Sequence, residues 1–142
     1  MFNDRRIGFT ADVSGEFTLK NAKVGATKGN KEKGEKPFII ILDGIEDPHN
    51  LGSIIRSAVC AGAHGIIIPR RRAVSVTAAA CKASAGAVEY AHIARVANIA
   101  NAIARLKDEG LWIAGADMSG TAMTSARMEG ALALVIGSEG DG

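Results

Sequence analysis

Two runs of branched aliphatic residues, FIIIL at 38–42 and GIIIP at 65–69, are unbroken by charge, the pattern of strands covered on both faces. Three further short stretches, AHIARV (91–96), LWIAGA (111–116) and ALALVIG (131–137), read as strands as well. Between them the period turns helical. Leu51, Ile54, Ile55, Ala58, Val59 and Gly62 recur at i, i+3, i+4, i+7, i+8 and i+11, one face of a helix. Ile99, Ile103 and Leu106 mark a second helix, opened by Asn98 and closed by Gly110, and residues 75–85 form an alanine-rich third. Strands alternating with helices at short spacing predict an α/β fold, a parallel sheet flanked by helices, in which ligands gather at the carboxyl ends of the strands. Trp112, between Leu111 and Ile113 at a strand start, is expected in the core. No internal repeat is present.

The pattern fails before Pro37. Residues 20–36, KNAKVGATKGNKEKGEK, offer almost nothing large and apolar to offset the entropy of ordering, so they read as a flexible basic linker. Residues 1–19 alternate weakly and read as an N-terminal remnant, a short hairpin or the end of an upstream element. Residues 37–142 are then one domain. Charge sharpens this division: the net charge is +2, but residues 1–37 hold eight Lys/Arg against five Asp/Glu, while the rest hold nine against ten. Cys60 and Cys81 show no CxxC or Cys/His spacing, and no histidine pair has metal-ligand spacing, so neither a disulfide framework nor a metal site is expected. No apolar run reaches the roughly 18 residues that span a bilayer, and the chain opens without a signal-peptide core, which points to the cytoplasm.

The candidate chemistry lies in two stretches that follow strands. In DPHNLGSIIRSA (47–58), Asp47-Pro48 sets a turn, Asn50 is read as the N-cap, and Gly52 strips bulk from the first helical turn so that backbone N–H groups face an approaching anion. Arg56 lies about 130° from the centre of the apolar stripe, at about 100° per residue, so it points away from the core. The plain alternative is a capped helix carrying one solvated arginine. In ALALVIGSEGDG, a strand ends in a turn with Gly137, Gly140 and Gly142; the order of glycines is not the dinucleotide fingerprint and no GK[ST] is present. Such a turn suits a ligand lying against main chain, with Glu139 beside it, or is a simple connection. Arg70 and Arg71, in an RRR run after the second strand, are read as phosphate contacts or as a solvated loop. His49 sits within the first stretch and is a candidate substrate contact, whereas His64 and His92 flank strands and are read as structural.

Taken together, DGIEDPHNLGSIIRSA and LALVIGSEGDG resemble the first two signature motifs of the SpoU (TrmH-like) family of SPOUT-superfamily RNA ribose 2′-O-methyltransferases. AGAHGIIIP, SAGAVEYAHIARVANIANAI and LKDEGLWIAGAD are similar to the group that modifies a guanosine of large-subunit (23S) rRNA. The resemblance covers residues 37–142. It implies S-adenosyl-L-methionine as cofactor, RNA (rRNA or tRNA) as partner, and a homodimer whose protomers share each site. By position it implies that Asn50 and Arg56 bind and orient the ribose and phosphate. Glu139 becomes the acid near the reacting hydroxyl, and Gly137, Ser138, Gly140 and Gly142 the bend that cups the cofactor.

The family's third signature, an SLNVS-like segment, is not found before Gly142, and residues 1–19 are too short for the small RNA-recognition domain of relatives. The expectation is therefore a SPOUT-type domain incomplete at its C-terminus, lacking the knot-forming segment: an open α/β sheet with an exposed edge or face, binding cofactor weakly or not detectably. The alternative function is a catalytically inactive RNA-binding or partner-binding fragment of the same fold. A nucleotide-binding domain of another family is disfavoured by the missing phosphate-loop motifs.

Overall fold

The computed structural model describes residues 36–70, 76–126 and 128–138. The linker and hairpin expectations for residues 1–35 lie outside them, as do Arg71, Glu139, Gly140 and Gly142. The elements run β1 (Phe38–Leu42), α1 (Pro48–Cys60), β2 (Gly65–Pro69), α2 (Ala78–Ala83), β3 (Ile93–Val96), α3 (Ile99–Asp108), β4 (Trp112–Gly115) and β5 (Leu132–Ile136), with single 3-10 turns at Ala87–Tyr90 and Met123–Ser125.

The five strands form one sheet in the order β3-β2-β1-β5-β4, and each described pairing is parallel. β1 is central, with Ile40 opposite Ile66 on one side and Leu134 on the other. That position explains its unbroken aliphatic run, since a strand inside a parallel sheet has helices or neighbours on every side. Odd-numbered Ile39 and Ile41 join Ile67, Ala94 and Ala133 against Ala102 and Leu106 of α3. Even-numbered Ile40 and Leu42 join Ile66 and Ile68 against Leu51, Ile55 and Ala58 of α1 and Ala80 of α2. Three layers result.

Helix ends follow side-chain capping. Asn98 Oδ1 accepts from Asn101 N at 2.9 Å to start α3, and Gly110 takes φ +90° after its end. Thr77 Oγ1 accepts from Ala80 N at 3.3 Å to start α2, which is shorter than the alanine run suggested.

Three sequence expectations give way here. The N-cap of α1 is Asp47, not Asn50: Asp47 Oδ1 accepts from His49 N at 2.9 Å, and Pro48 occupies the first helical turn, where its missing N–H costs nothing. Asn50 is consequently inside the helix. Gly52 does not clear space for a ligand. It is buried, and a Cβ built on it would stand 2.5 Å from Ala80 O, 2.6 Å from Ala83 Cβ and 2.9 Å from Ser84 N, so it is the point where the backbones of α1 and α2 touch. Trp112 is 75% exposed rather than core. Its register partner is Leu132, while its neighbour Ile113 pairs with Ala133 and packs on the α3 side. Alternation therefore turns the indole to the other face of the edge strand β4, which no described helix covers.

The Gly52 contact gives a test of sign. Helix propensity alone has Gly52→Ala stabilising by about 1 kcal/mol. The close approach to backbone atoms of α2 has it destabilising by about 1–3 kcal/mol instead. Urea denaturation of the variant is expected to show the loss, as a lower midpoint at unchanged slope.

Candidate functional site: a cleft where the strand order reverses

From β1 the chain steps to β2 and β3 toward one edge, then crosses beneath the sheet through α3 to β4 at the other edge and returns to β5 beside β1. β1 and β5 are thus the pair at which the order of connection reverses, and the loops leaving their carboxyl ends diverge to leave a crevice. The structure has a cleft of about 650 Å³ there.

Its walls come from both candidate stretches. Gly44, Glu46 and Asp47 enter from the loop after β1, Asn50 and Ser53 from the first turns of α1, and Gly137 and Ser138 from the loop after β5. The two loops are tied. Asp43 N donates to Ile136 O at 2.9 Å, extending the β1–β5 ladder one step past the strands. Gly44 takes φ +82°, a conformation that favours glycine, and a Cβ there would stand 3.3 Å from Ser138 Cβ, so the two loops lie in close contact.

Of the residues singled out in the sequence, Asn50, Gly137 and Ser138 line this cleft. Arg56 is exposed and does not line it. It lies three residues beyond Ser53, which makes the two neighbours on the exposed surface of the helix. His49 is exposed at the helix start, its amide engaged by Asp47. Arg70 stands apart. It follows β2, its N donating to Val96 O at 2.7 Å, on the β3 side of the sheet away from β5. His64 serves structure, its Nδ1 accepting from Phe38 N at 2.9 Å and its own N donating to Phe38 O at 2.7 Å. His92 is buried beside β3, and its carbonyl accepts from Ile66 N at 2.8 Å.

The sequence reading passed over Gly44, Glu46 and Ser53. All three were reachable: Gly44 and Glu46 share the loop with Asp47, and Ser53 lies one helical turn from Asn50. Also unread was the Asp117 turn after β4. There Asp117 Oδ1 accepts from Ser119 N at 2.7 Å and from the Ser119 hydroxyl, and these bonds hold its carboxyl below the usual range.

Ser53, Ile54 and Ile136 also line a second groove of about 730 Å³, floored by Leu132 and Leu134 of β5 and walled by Met123 and Met128. It is the half of the α1-side face that no described helix covers, the same face onto which Trp112 turns. Among the described residues no group of three His, Cys, Asp or Glu side chains could hold a metal ion, and no helix is long and apolar enough to cross a membrane.

The profile of the SpoU rRNA Methylase family matches residues 37–142, which takes in the whole sheet and both cleft loops. The chain belongs to the SpoU family. Relatives agree: YacO of Bacillus subtilis, assigned to the TrmH family of tRNA/rRNA methyltransferases, is 52% identical over 117 residues, which is 81% of this chain and 47% of that protein. A TrmH-family protein of Staphylococcus aureus is 48% identical over 116 residues, again 47% of its length. The chain thus spans about half the length of these relatives. Among solved structures, a TrmH-family RNA methyltransferase assignment from Porphyromonas gingivalis superimposes with a TM-score of 0.66 at 29% identity, over 75% of this chain and 44% of that one. The SpoU methyltransferase AviRb from Streptomyces viridochromogenes, solved with S-adenosylmethionine bound, gives 0.64 at 28% identity over 76% and 46%. The SpoU-family sheet of this chain accordingly carries both motif loops on one rim.

The two candidate caps separate in a stability measurement. Asp47→Ala is expected to cost about 1 kcal/mol by removing the acceptor for His49 N. Asn50→Ala, within the helix and exposed, is expected to stay within about 0.5 kcal/mol of the parent. Thermal unfolding of both variants reads the difference.

Proposed function

We propose that this domain serves S-adenosylmethionine-dependent methylation of a ribose 2′-hydroxyl in RNA, with a guanosine of large-subunit rRNA as the target and a homodimer as the working unit. The observation that carries the reading is the meeting of the two motif loops in one cleft at the β1–β5 rim, tied through Asp43 and Ile136.

The cleft fits the cofactor by its composition: backbone at Gly44 and Gly137 free of side-chain bulk, apolar side chains at Ile45, Ile54 and Ile136, and, among the described lining residues, acids at Glu46 and Asp47 rather than cations. When bound, S-adenosylmethionine supplies an electrophilic methyl group. The chain's task is to hold a hydroxyl in line with it, and positioning of this kind accounts for several kcal/mol of barrier reduction. Asn50, at the cleft wall, orients the ribose. Arg56, one helical turn beyond Ser53, holds the neighbouring phosphate, with His49, Arg70 and Arg71 as further RNA contacts. A guanidinium has a pKa above about 12 and does not serve as proton acceptor. The hydroxyl proton therefore leaves through Glu139 or water, and Arg56 acts by charge and orientation. Gly137 and Ser138, with Gly140 and Gly142 beyond the described residues, are the cofactor-binding residues of this reading, glycine leaving room for a donor to lie against main chain.

These roles predict different responses. Arg56→Lys, which keeps the positive charge, is expected to retain measurable methyl transfer to an rRNA fragment, with the loss mainly in KM. Glu139→Gln is expected to lower turnover by about 10²–10⁴. The reverse ranking would assign the proton to the arginine side of the site. Absence of transfer by the parent chain together with retained RNA binding would favour the RNA-binding alternative.

A further inference from the structure

We propose that the Glu46 carboxylate is the charge-selecting group of the cleft, favouring the sulfonium form of the methyl donor over the neutral thioether that remains after methyl loss. This rests on the reading of the cleft as the donor site.

Among the described residues two acids, Glu46 and Asp47, line the cleft, and no lysine or arginine does. They are not equivalent. Asp47 is engaged as the helix cap, accepting from His49 N at 2.9 Å, and the positive end of the α1 dipole offsets its charge. Glu46 is exposed and has no hydrogen-bond or ion-pair partner among the described residues. The rest of the described lining is aliphatic at Ile45, Ile54 and Ile136, bare main chain at Gly44 and Gly137, and neutral polar at Asn50, Ser53 and Ser138. The described lining itself carries no cation to pair with an anionic ligand. It suits a cationic centre flanked by carbon, which is what a sulfonium is.

The loss of the methyl group removes that charge while leaving the rest of the molecule, including its ammonium and carboxylate, unchanged. A carboxylate acting on the sulfur therefore separates donor from spent product, holding the first and releasing the second. The size of the effect follows from its exposure. Two unit charges about 4 Å apart in water-like surroundings interact by about 1 kcal/mol, which is about fivefold in affinity, and salt screens it over about 8 Å at physiological ionic strength.

Equilibrium dialysis of the full 142-residue chain against S-adenosylmethionine and S-adenosylhomocysteine, at ligand concentrations into the millimolar range and at low and high salt, tests this. Glu46→Gln is expected to lower the preference for the sulfonium form about fivefold, with thioether binding changed less than twofold. The parent's preference is expected to shrink with salt. Asp108→Asn, on α3 across the sheet, is expected to leave the ratio alone, which controls for net charge. An unchanged ratio in Glu46→Gln, with both ligands still bound, overturns the assignment and leaves the cleft as the donor site. Equal weakening of both ligands at unchanged melting temperature also overturns it, because the carboxylate would then serve the ammonium end common to both. Failure of either ligand to bind the parent overturns the donor-site reading and the Glu46 assignment with it.

Discussion

The pairing of β1 with β5 is the constraint on which the site depends. These strands come from opposite ends of the described chain, and their parallel ladder runs in register from Phe38–Leu132 to Leu42–Ile136, then one bond further through Asp43 N and Ile136 O. A parallel pair needs a long crossover, and everything between β1 and β5 serves as that crossover. Because both strands point the same way, their loops emerge on the same rim. Because β1 continues toward β2 while β5 is reached from β4, the loops part and leave a cleft. Slipping this ladder by one residue would turn Ile39 and Ile41 off α3 and part Gly44 from Ser138.

A second close contact fixes the helix that borders the cleft. Gly52 lets α1 touch α2 at Ala80 and Ala83, and Ser84, fully buried behind it, donates from its hydroxyl to Cys81 O at 2.7 Å. With α2 seated there, the apolar stripe of Leu51, Ile55 and Ala58 presses on the sheet. Asn50, Ser53 and Ile54 are left toward β5 and line the cleft. A glycine remote from the ligand thus sets which side of α1 the ligand meets. Its role is packing that positions chemistry, a different thing from contact with substrate.

The two faces of the sheet are covered unequally. α3 lies across the odd-numbered residues of β1 and reaches Ile113 and Val135 on the far strands. On the other face α1 and α2 cover β1, β2 and β3, while Leu132 and Leu134 floor an open groove and Trp112 stands exposed at the edge. The relatives, about twice as long, carry additional chain beyond the matched portion.

All five strands, the three helices and the parallel α/β class were legible in the sequence, because an unbroken aliphatic run and a 3.6-residue stripe each admit few structures. Boundaries set by local chemistry were legible too where the cap was unambiguous, as at Asn98 and Gly110. The start of α1 was misread because Asp47-Pro48 and Asn50 both satisfy a cap pattern, and only backbone geometry chooses between them. Trp112 and Gly52 were misread for a deeper reason. Whether a strand lies at the edge, and whether a glycine meets solvent or another helix, depends on strand order and helix docking, which are contacts between distant residues that no local pattern encodes. The residue types of the site were written in the chain, and the meeting of Gly44 with Ser138 was decided by tertiary structure, because only strand order brings the loop after β1 beside the loop after β5.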